Sequence, residues 1–308
     1  MSKILVTGGL GFIGQNLVNE LKRRDHEVWT LDLLNSCEEN HIRCDVREFR
    51  QLERVFLDQD FAFDYVYHLA AEYGRWNGED YYEQLWDTNV IGTKNLIRIQ
   101  EKSGFRMIFF SSAEVYGDYD GKMSEDVMDK IPIKQMNDYA MTKWVGEMQC
   151  LNSAEMFGTE TVRIRPVNCY GVGEHYTPYR GVIPKMIYKA LRREPYTVYL
   201  GHKRIFDYVS DTVRTIANIV DNFKPGEVYN IGSDENWETD IKYISDLILK
   251  YTKRDESLVT YKKAEPFTTR VKHMDFEKAR KDLRHDPRVR IWDGIPQTIE
   301  WMRKYHNL

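Results

Sequence analysis

Two side chains four positions apart, Tyr139 and Lys143, are the first candidates for chemistry in this chain of 308 residues. On a helix this spacing places both on one face, where a lysine ammonium would stabilise a phenolate and lower the pKa of the tyrosine. Such a tyrosine can take a proton from a substrate hydroxyl while a hydride leaves the same carbon. Ser112, which follows a predicted strand, would hydrogen-bond to the same oxygen.

A glycine-rich turn gives the second signal. Gly8, Gly11 and Gly14 directly follow the first predicted strand and open the first predicted helix. Glycine allows a tight turn and a close approach of the backbone to a pyrophosphate, and the helix N-terminus offers N–H groups to the phosphates. Asp32 ends the second predicted strand, where a carboxylate would bind a ribose 2′-hydroxyl and repel a 2′-phosphate. This combination predicts NAD rather than NADP.

Alternating apolar runs and helical patterns must position these groups. The alternation predicts right-handed crossovers and a parallel sheet, and ligands bind beyond the carboxyl ends of the strands in such sheets. The predicted strands lie at 4–6, 28–31, 65–67, 107–110, 161–164 and 228–230, and later helices at 211–222, 241–251 and 295–304.

The strand–helix pattern loosens after Pro166, where glycine and proline become frequent. We therefore predict an α/β fold with two parts. Residues 1–167, joined by part of 205–232, form a Rossmann-type doubly wound domain that binds NAD. Residues 168–308 form a smaller mixed α/β domain that binds the substrate.

Composition excludes several classes of protein. The formal net charge of −4 argues against a protein dominated by phosphate contacts with nucleic acid. The segment 270–290 carries eight basic and four acidic residues, and we interpret it as a solvated helix and loop. No apolar run is long enough to span a membrane, and no signal peptide is recognised. Four scattered cysteines predict no metal site and a reduced, cytoplasmic setting.

Taken together, these motifs resemble those of the extended short-chain dehydrogenase/reductases, specifically the nucleotide-sugar epimerase/dehydratase family. The resemblance extends over nearly the whole chain. The matching segments are TGGLGFIG at 7–14, DV at 45–46, HLAA at 68–71, NVIGT at 89–93, SSAEVYG at 111–117, YAMTK at 139–143, RPVNCYG at 165–171, RIFDYVSD at 204–211 and NIGS at 230–233.

The resemblance implies that NAD+ oxidises the sugar of a nucleotide diphosphate sugar at C4. It also implies a homodimer formed through a four-helix bundle, here from helices around 83–102 and 139–157. The full set of predicted cofactor contacts is Gly8, Gly11, Phe12, Ile13, Gly14, Asp32, Asp45, Val46, Leu69, Ala70, Ala71, Asn89, Tyr139 and Lys143. The predicted substrate contacts are Tyr73, Arg75, Ser112, Asn168, Val182, Arg204 and Arg270.

The reaction after oxidation is less constrained by the sequence. Glu114 matches a base of the 4,6-dehydratases that act on dTDP-glucose or GDP-mannose, whereas Ala113 stands where dTDP-glucose enzymes carry an acid. We take Ser112, Glu114, Tyr139 and Lys143 as the catalytic candidates and favour 4,6-dehydration. A nucleotide-sugar 4-epimerase and a UDP-glucuronate decarboxylase remain alternatives, as does a regulatory NAD-binding protein without turnover.

Overall fold

The computed structural model describes residues 1–57, 62–263 and 271–308. Fifteen strands occur within these ranges: β1 (Lys3–Thr7), β2 (Glu27–Asp32), β3 (His41–Arg43), β4 (Tyr65–His68), β5 (Arg106–Phe110), β6 (Lys122–Met123), β7 (Thr161–Pro166), β8 (Cys169–Tyr170), β9 (Tyr196–Tyr199), β10 (Lys203–Arg204), β11 (Asp207–Tyr208), β12 (Val228–Ile231), β13 (Thr239–Asp240), β14 (Val259–Lys262) and β15 (His273–Met274).

The same ranges contain twelve α-helices: α1 (Phe12–Arg23), α2 (Phe49–Leu57), α3 (Arg75–Asp80), α4 (Tyr82–Trp86), α5 (Thr93–Ser103), α6 (Val127–Lys130), α7 (Asp138–Phe157), α8 (Val182–Arg192), α9 (Val209–Ala217), α10 (Ile241–Thr252), α11 (Glu277–Leu283) and α12 (Ile291–His306). A π-helical segment, Asp87–Gly92, joins α4 to α5.

Seven of the described strands form one parallel sheet in the order β12-β7-β5-β4-β1-β2-β3. The order reverses between β1 and β4, so the glycine turn after β1 lies at the point where a doubly wound sheet binds ligands. This topology confirms the predicted Rossmann-type fold. The edge strand β3 was not predicted, because its three residues, His41 to Arg43, contain no apolar run.

Apolar spacing explains the first helix. Leu17, Val18 and Leu21 face the sheet and are buried, as expected for one stripe of an amphipathic helix. The helix ends at Arg23, and Asp25 then adopts a left-handed conformation with φ of 60°.

Helix α7 carries the tyrosine and lysine candidates, and its two ends are defined locally. The Asn137 side chain caps the first turn by accepting a hydrogen bond from Ala140 N at 2.9 Å. Gly158, with φ of 68°, ends the helix in the left-handed conformation. Tyr139 therefore lies in the first turn, beside the carboxyl ends of the strands.

A second apolar core lies away from the sheet, formed by α8, α10, α12 and β9, with Ile187, Val198, Ile244 and Ile295 fully buried. This arrangement is consistent with a separate substrate domain. The exact division at residue 167 remains our proposal.

A buried carboxylate joins α7 to the sheet. Glu147 is fully buried and accepts hydrogen bonds from Arg165 Nε and Nη2, both at 2.8 Å, and from Ser111 Oγ. Arg163 Nη1 lies 3.3 Å from the same carboxylate. Both arginines are buried as well. The free-energy cost of removing water from each of these charges is therefore offset only by its ion-pair and hydrogen-bond partners.

We expect Glu147→Gln to lower the free energy of unfolding by about 3–5 kcal/mol, because two buried guanidinium groups lose their counter-charge. Denaturant unfolding followed by circular dichroism would measure it. Glu160→Gln is the matched control, since the Glu160–Arg106 pair is about half exposed and should contribute about 1 kcal/mol or less. Equal losses for the two variants would contradict the assigned role of Glu147.

Candidate active site

A cavity of about 420 Å³ opens at the carboxyl ends of the central strands. Most of the residues predicted to contact the cofactor line this cavity. They are Gly8, Gly11, Phe12, Ile13, Gly14, Asp32, Asp45, Val46, Leu69, Ala70, Ala71, Tyr139 and Lys143. We refer to it below as the cofactor cavity.

Asn89 is the exception in the predicted cofactor set, since it does not line this cavity. It is buried behind the wall, where its Oδ1 accepts a hydrogen bond from Glu72 N at 2.8 Å. Its Nδ2 donates to Glu72 O and to Thr142 Oγ1, both at 3.0 Å. Asn89 thus holds the segment after β4 in place rather than facing the cavity.

The glycine turn forms a cradle that side chains would fill. Gly8 has φ of 67°, and a Cβ there would lie 2.8 Å from Ala70 N. A Cβ on Gly14 would lie 2.2 Å from the carbonyl oxygen of Gly8. Because no larger residue fits, the backbone can approach a bound pyrophosphate as a dinucleotide site requires.

Asp32 lies at the end of β2, beside the glycine turn. Its carboxylate accepts hydrogen bonds from Leu10 N at 3.0 Å and from Leu34 N at 3.2 Å. These backbone contacts fix the carboxylate at the rim of the cofactor cavity. The position fits a ribose with a free 2′-hydroxyl.

A second cavity, of about 520 Å³, lies next to the first, and we call it the sugar cavity. It is lined by five of the predicted substrate contacts, Tyr73, Arg75, Asn168, Val182 and Arg204, and by the catalytic candidates Glu114 and Tyr139. Ser112 lines the cofactor cavity instead. Arg270, the remaining predicted contact, lies outside the described residues.

The two cavities share one wall, which contains Tyr73, Tyr139, Asn168, Cys169, Glu174 and Arg180. Tyr139 is hydrogen-bonded to Ser112 at this wall. A group that exchanges a proton with a substrate while a hydride passes to a cofactor must face both molecules. Tyr139 meets that requirement.

The pKa of Tyr139 is raised in this structure, whereas the spacing predicted that Lys143 would lower it. Burial raises the pKa of Tyr139 to about 12, although the Ser112 hydrogen bond favours the phenolate. The ammonium lies 5.9 Å from the centre of the tyrosine ring and donates to Phe110 O at 2.9 Å. Burial lowers the pKa of Lys143 to about 8.

Glu114 is paired with a residue that the sequence analysis did not select. Lys272 Nζ donates to Glu114 Oε1 at 2.7 Å and to Ala113 O at 3.2 Å. Burial opposes ionisation of Glu114, but Lys272, Arg75 and Arg204 together outweigh it and hold the pKa of that carboxyl at about 2. Glu114 is therefore a permanent carboxylate with little affinity for a proton.

Lys272 also corrects the interpretation of residues 270–290 as solvated, since it is only 4% exposed. Strand β15 pairs with β6 through His273 and Lys122, and this pairing brings Lys272 to Glu114. No spacing in the sequence predicts a contact between residues 158 positions apart. Glu174, on the shared wall, was also missed, because no motif marked it.

Two further findings concern the described residues as a set. None of their helices is long and apolar enough to cross a membrane. They contain no group of three or more His, Cys, Asp or Glu side chains arranged to hold a metal ion.

Comparison with known proteins places the chain among enzymes of one family. The model of the NAD dependent epimerase/dehydratase family matches residues 4–232. A UDP-N-acetyl-alpha-D-glucosaminuronate decarboxylase of Bacillus cytotoxicus is 30% identical, over 99% of each chain. A dTDP-D-glucose 4,6-dehydratase of Mus musculus is 27% identical, over 99% of this chain and 90% of its own.

A solved structure gives a third comparison. The UDP-glucuronic acid 4-epimerase of Bacillus cereus, in complex with UDP-glucuronic acid and NAD, superposes with a TM-score of 0.85 at 25% identity. The match covers 98% of this chain and 99% of that one. Fold, cavities and comparisons agree with the family resemblance of the motifs. This chain belongs to the NAD-dependent epimerase/dehydratase family of enzymes.

Proposed function

We propose that this enzyme uses NAD+ to oxidise C4 of a nucleoside-diphosphate hexuronate and then releases the C6 carboxylate as CO2. The observation that carries the proposal is the ion pair between Glu114 and Lys272. It removes the base that 4,6-dehydration would need and leaves a cationic sugar cavity. Decarboxylation thus replaces dehydration as our preferred reaction.

The cofactor cavity would hold NAD+, with the glycine turn at the pyrophosphate and Asp32 at the adenosine ribose. When bound, NAD+ supplies the hydride acceptor for C4 and a positive charge that favours a phenolate. Tyr139 takes the proton of the C4 hydroxyl, and Ser112 orients that oxygen. Lys143, with its pKa lowered to about 8 by burial, would hold the nicotinamide ribose.

The second step follows from the electrostatics of Glu114. A 4,6-dehydratase must remove the C5 proton, and a carboxylate with a pKa of about 2 is a weak base for this task. Ala113 cannot protonate a leaving hydroxyl. A 4-keto hexuronate needs neither group, because its carboxylate lies β to the ketone and leaves as CO2 with the electron pair delocalised onto the C4 oxygen.

The charge of the sugar cavity supports an acidic sugar. Lys272, Arg75 and Arg204 all act on Glu114, so this region keeps a positive excess while Glu114 is ionised. Guanidinium groups bind carboxylates and phosphates through paired hydrogen bonds. Two of the relatives, the decarboxylase and the 4-epimerase, are named for hexuronate substrates.

The family assignment and the shared wall with Tyr139 argue against a regulatory protein without turnover.

Epimerisation at C4 is the second candidate, since it also needs no base at C5. The same observation, the pairing of Glu114 with Lys272, favours epimerisation. Its product differs from that of decarboxylation. Retention of the carboxylate would identify it.

We also retain two predictions about the protein as a whole, a cytoplasmic setting and a homodimer. Met141, Met148 and Leu151 on α7 and Ile91 in the π-helical segment are exposed. This apolar surface supports assembly through a four-helix bundle with α5. Light scattering that gave the mass of one chain at working concentration would contradict the dimer.

The proposed reaction is tested by a panel of nucleotide sugars analysed by mass spectrometry. We expect a nucleoside-diphosphate hexuronate to lose one CO2. Glu114→Gln should keep turnover within about tenfold, because removing a true general base costs about 10²–10⁴ in rate. Loss of water from a neutral hexose, with a large defect in Glu114→Gln, would instead establish the dehydratase.

The role of Tyr139 is tested by Tyr139→Phe, which keeps the ring and removes the proton acceptor. We expect turnover to fall by about 10²–10⁴, with substrate affinity little changed. Stopped-flow absorbance of the reduced cofactor would measure the first step. Tyr82→Phe, a substitution of an exposed tyrosine, serves as control, and similar rates for both variants would refute the assignment.

Cofactor choice is tested by Asp32→Ala. The wild type should bind NAD+ much more tightly than NADP+. In the variant, the ratio of the dissociation constants for NADP+ and NAD+ should fall by about tenfold or more, because hydrogen bonds to a charged group contribute about 1.5–3 kcal/mol. Calorimetric titration with both cofactors measures the ratio. Glu27→Ala, at the opposite end of the same strand, should leave it unchanged. Equal affinity of the wild type for both cofactors would overturn the assignment.

A further inference from the structure

Glu174 is a buried acid at the wall between the two cavities. It is 4% exposed and lines both the cofactor cavity and the sugar cavity. Among the described residues that line both, it is the only carboxylic acid. Its Oε2 has no hydrogen-bond partner within the described part of the chain.

The backbone around Glu174 fixes its position. Glu174 N donates to Gly171 O at 3.2 Å, which closes a turn after β8. Gly173 precedes it with φ of 95°, and a Cβ there would lie 3.1 Å from Asn16 Nδ2 on α1. The turn is therefore packed between the glycine-turn helix and the shared wall. Within the described part of the chain, no cation forms an ion pair with the carboxyl group of Glu174, whose Oε2 has no hydrogen-bond partner there.

Charges near Glu174 do not keep it ionised. Burial raises its pKa to about 8, and the opposing effect of Arg180 is smaller. Arg180 instead stacks on Tyr73, with its guanidinium carbon 3.8 Å from the ring centre. The neighbouring Cys169 thiol has its pKa raised well above the usual value, mainly by burial. At neutral pH this thiol keeps its proton, and Glu174 also carries one.

The proposed reaction needs a proton that the residues discussed so far do not provide. Loss of CO2 breaks the bond between C5 and C6 and leaves its electron pair in an enolate over C5, C4 and the C4 oxygen. One proton must then be added to C5. The proton on Tyr139 came from the C4 hydroxyl and must return to that oxygen. Lys272 already donates to Glu114 and to Ala113 O.

We propose that Glu174 delivers this proton to C5 after CO2 has left, an inference that rests on the proposed decarboxylation. The electron pair of the enolate forms the new C–H bond, and the O–H bond of the carboxyl group breaks. Glu174 becomes a carboxylate and regains a proton from water. It is thus a catalytic residue for the step that follows the one governed by Tyr139.

The test separates CO2 release from product formation in a single turnover of the holoenzyme. In Glu174→Gln, CO2 release should stay within a few-fold of wild type, whereas the protonated product should form about 10²–10⁴ more slowly. Glu174→Asp, which keeps an acid, should restore part of the rate.

Asp207 provides the matched control. Its pKa is also raised to about 8, chiefly by burial, but it lines neither cavity. Asp207→Asn should leave both rates unchanged. An infrared difference spectrum between wild type and Glu174→Gln should show a protonated carboxyl at neutral pH that disappears at high pH, and this readout does not depend on turnover.

The outcomes distinguish the two proposals. Wild-type rates of both steps in Glu174→Gln, or an ionised Glu174 at neutral pH in the infrared spectrum, would overturn the proton-donor role while decarboxylation stands. Absence of CO2 from every hexuronate tested with the wild type would overturn decarboxylation itself. Thermal unfolding of each variant identifies any rate loss that comes from misfolding, and Glu174→Asp then decides the question.

Discussion

The buried carboxylate of Glu147 determines how helix α7 packs against the sheet. It lies on α7 and binds Arg163 and Arg165 of β7 as well as Ser111 after β5. Four groups on three elements are thereby joined in one network from which water is excluded. Removal of a single member would leave the others unpaired at a high cost. The network therefore holds one rotation of α7 against the sheet and disfavours others.

The rotation of α7 about its axis determines where Tyr139 and Lys143 lie. Tyr139, Lys143 and Glu147 follow one another at intervals of four residues, so fixing the last also fixes the first two on the sheet-facing side. Gly146 allows the close approach, because a Cβ there would lie 2.4 Å from the Phe109 ring. Ser111 belongs to the same network and directly precedes Ser112, which binds Tyr139. A structural ion pair and the candidate catalytic pair, Tyr139 and Lys143, thus share one helix face.

The sequence predicted those parts of the fold and site that local spacing determines. The glycine turn, the Tyr139–Lys143 pair and the six predicted strands of the sheet depend on periods of two to four residues and on strand–helix alternation. The pairing of Glu114 with Lys272 depends on β15 meeting β6 from the far end of the chain. The error about Lys143 has a similar origin, because burial, which sequence spacing does not reveal, determined its pKa and that of Tyr139.

Two carboxyl groups of the sugar cavity differ in protonation for reasons that lie entirely in their surroundings. Glu114 is ionised because three cations act on it, and Glu174 is protonated because burial outweighs the one arginine near it. When the surroundings of two carboxyl groups give them different pKa values, one site can contain both a fixed negative charge and a proton donor. The motif SSAEVYG contains only the first of these groups. In the reaction that we propose, the step after CO2 release thus depends on a residue outside the family motifs. Relatives of this chain are named for decarboxylation, dehydration and epimerisation, so membership of the family alone does not define the reaction that follows C4 oxidation.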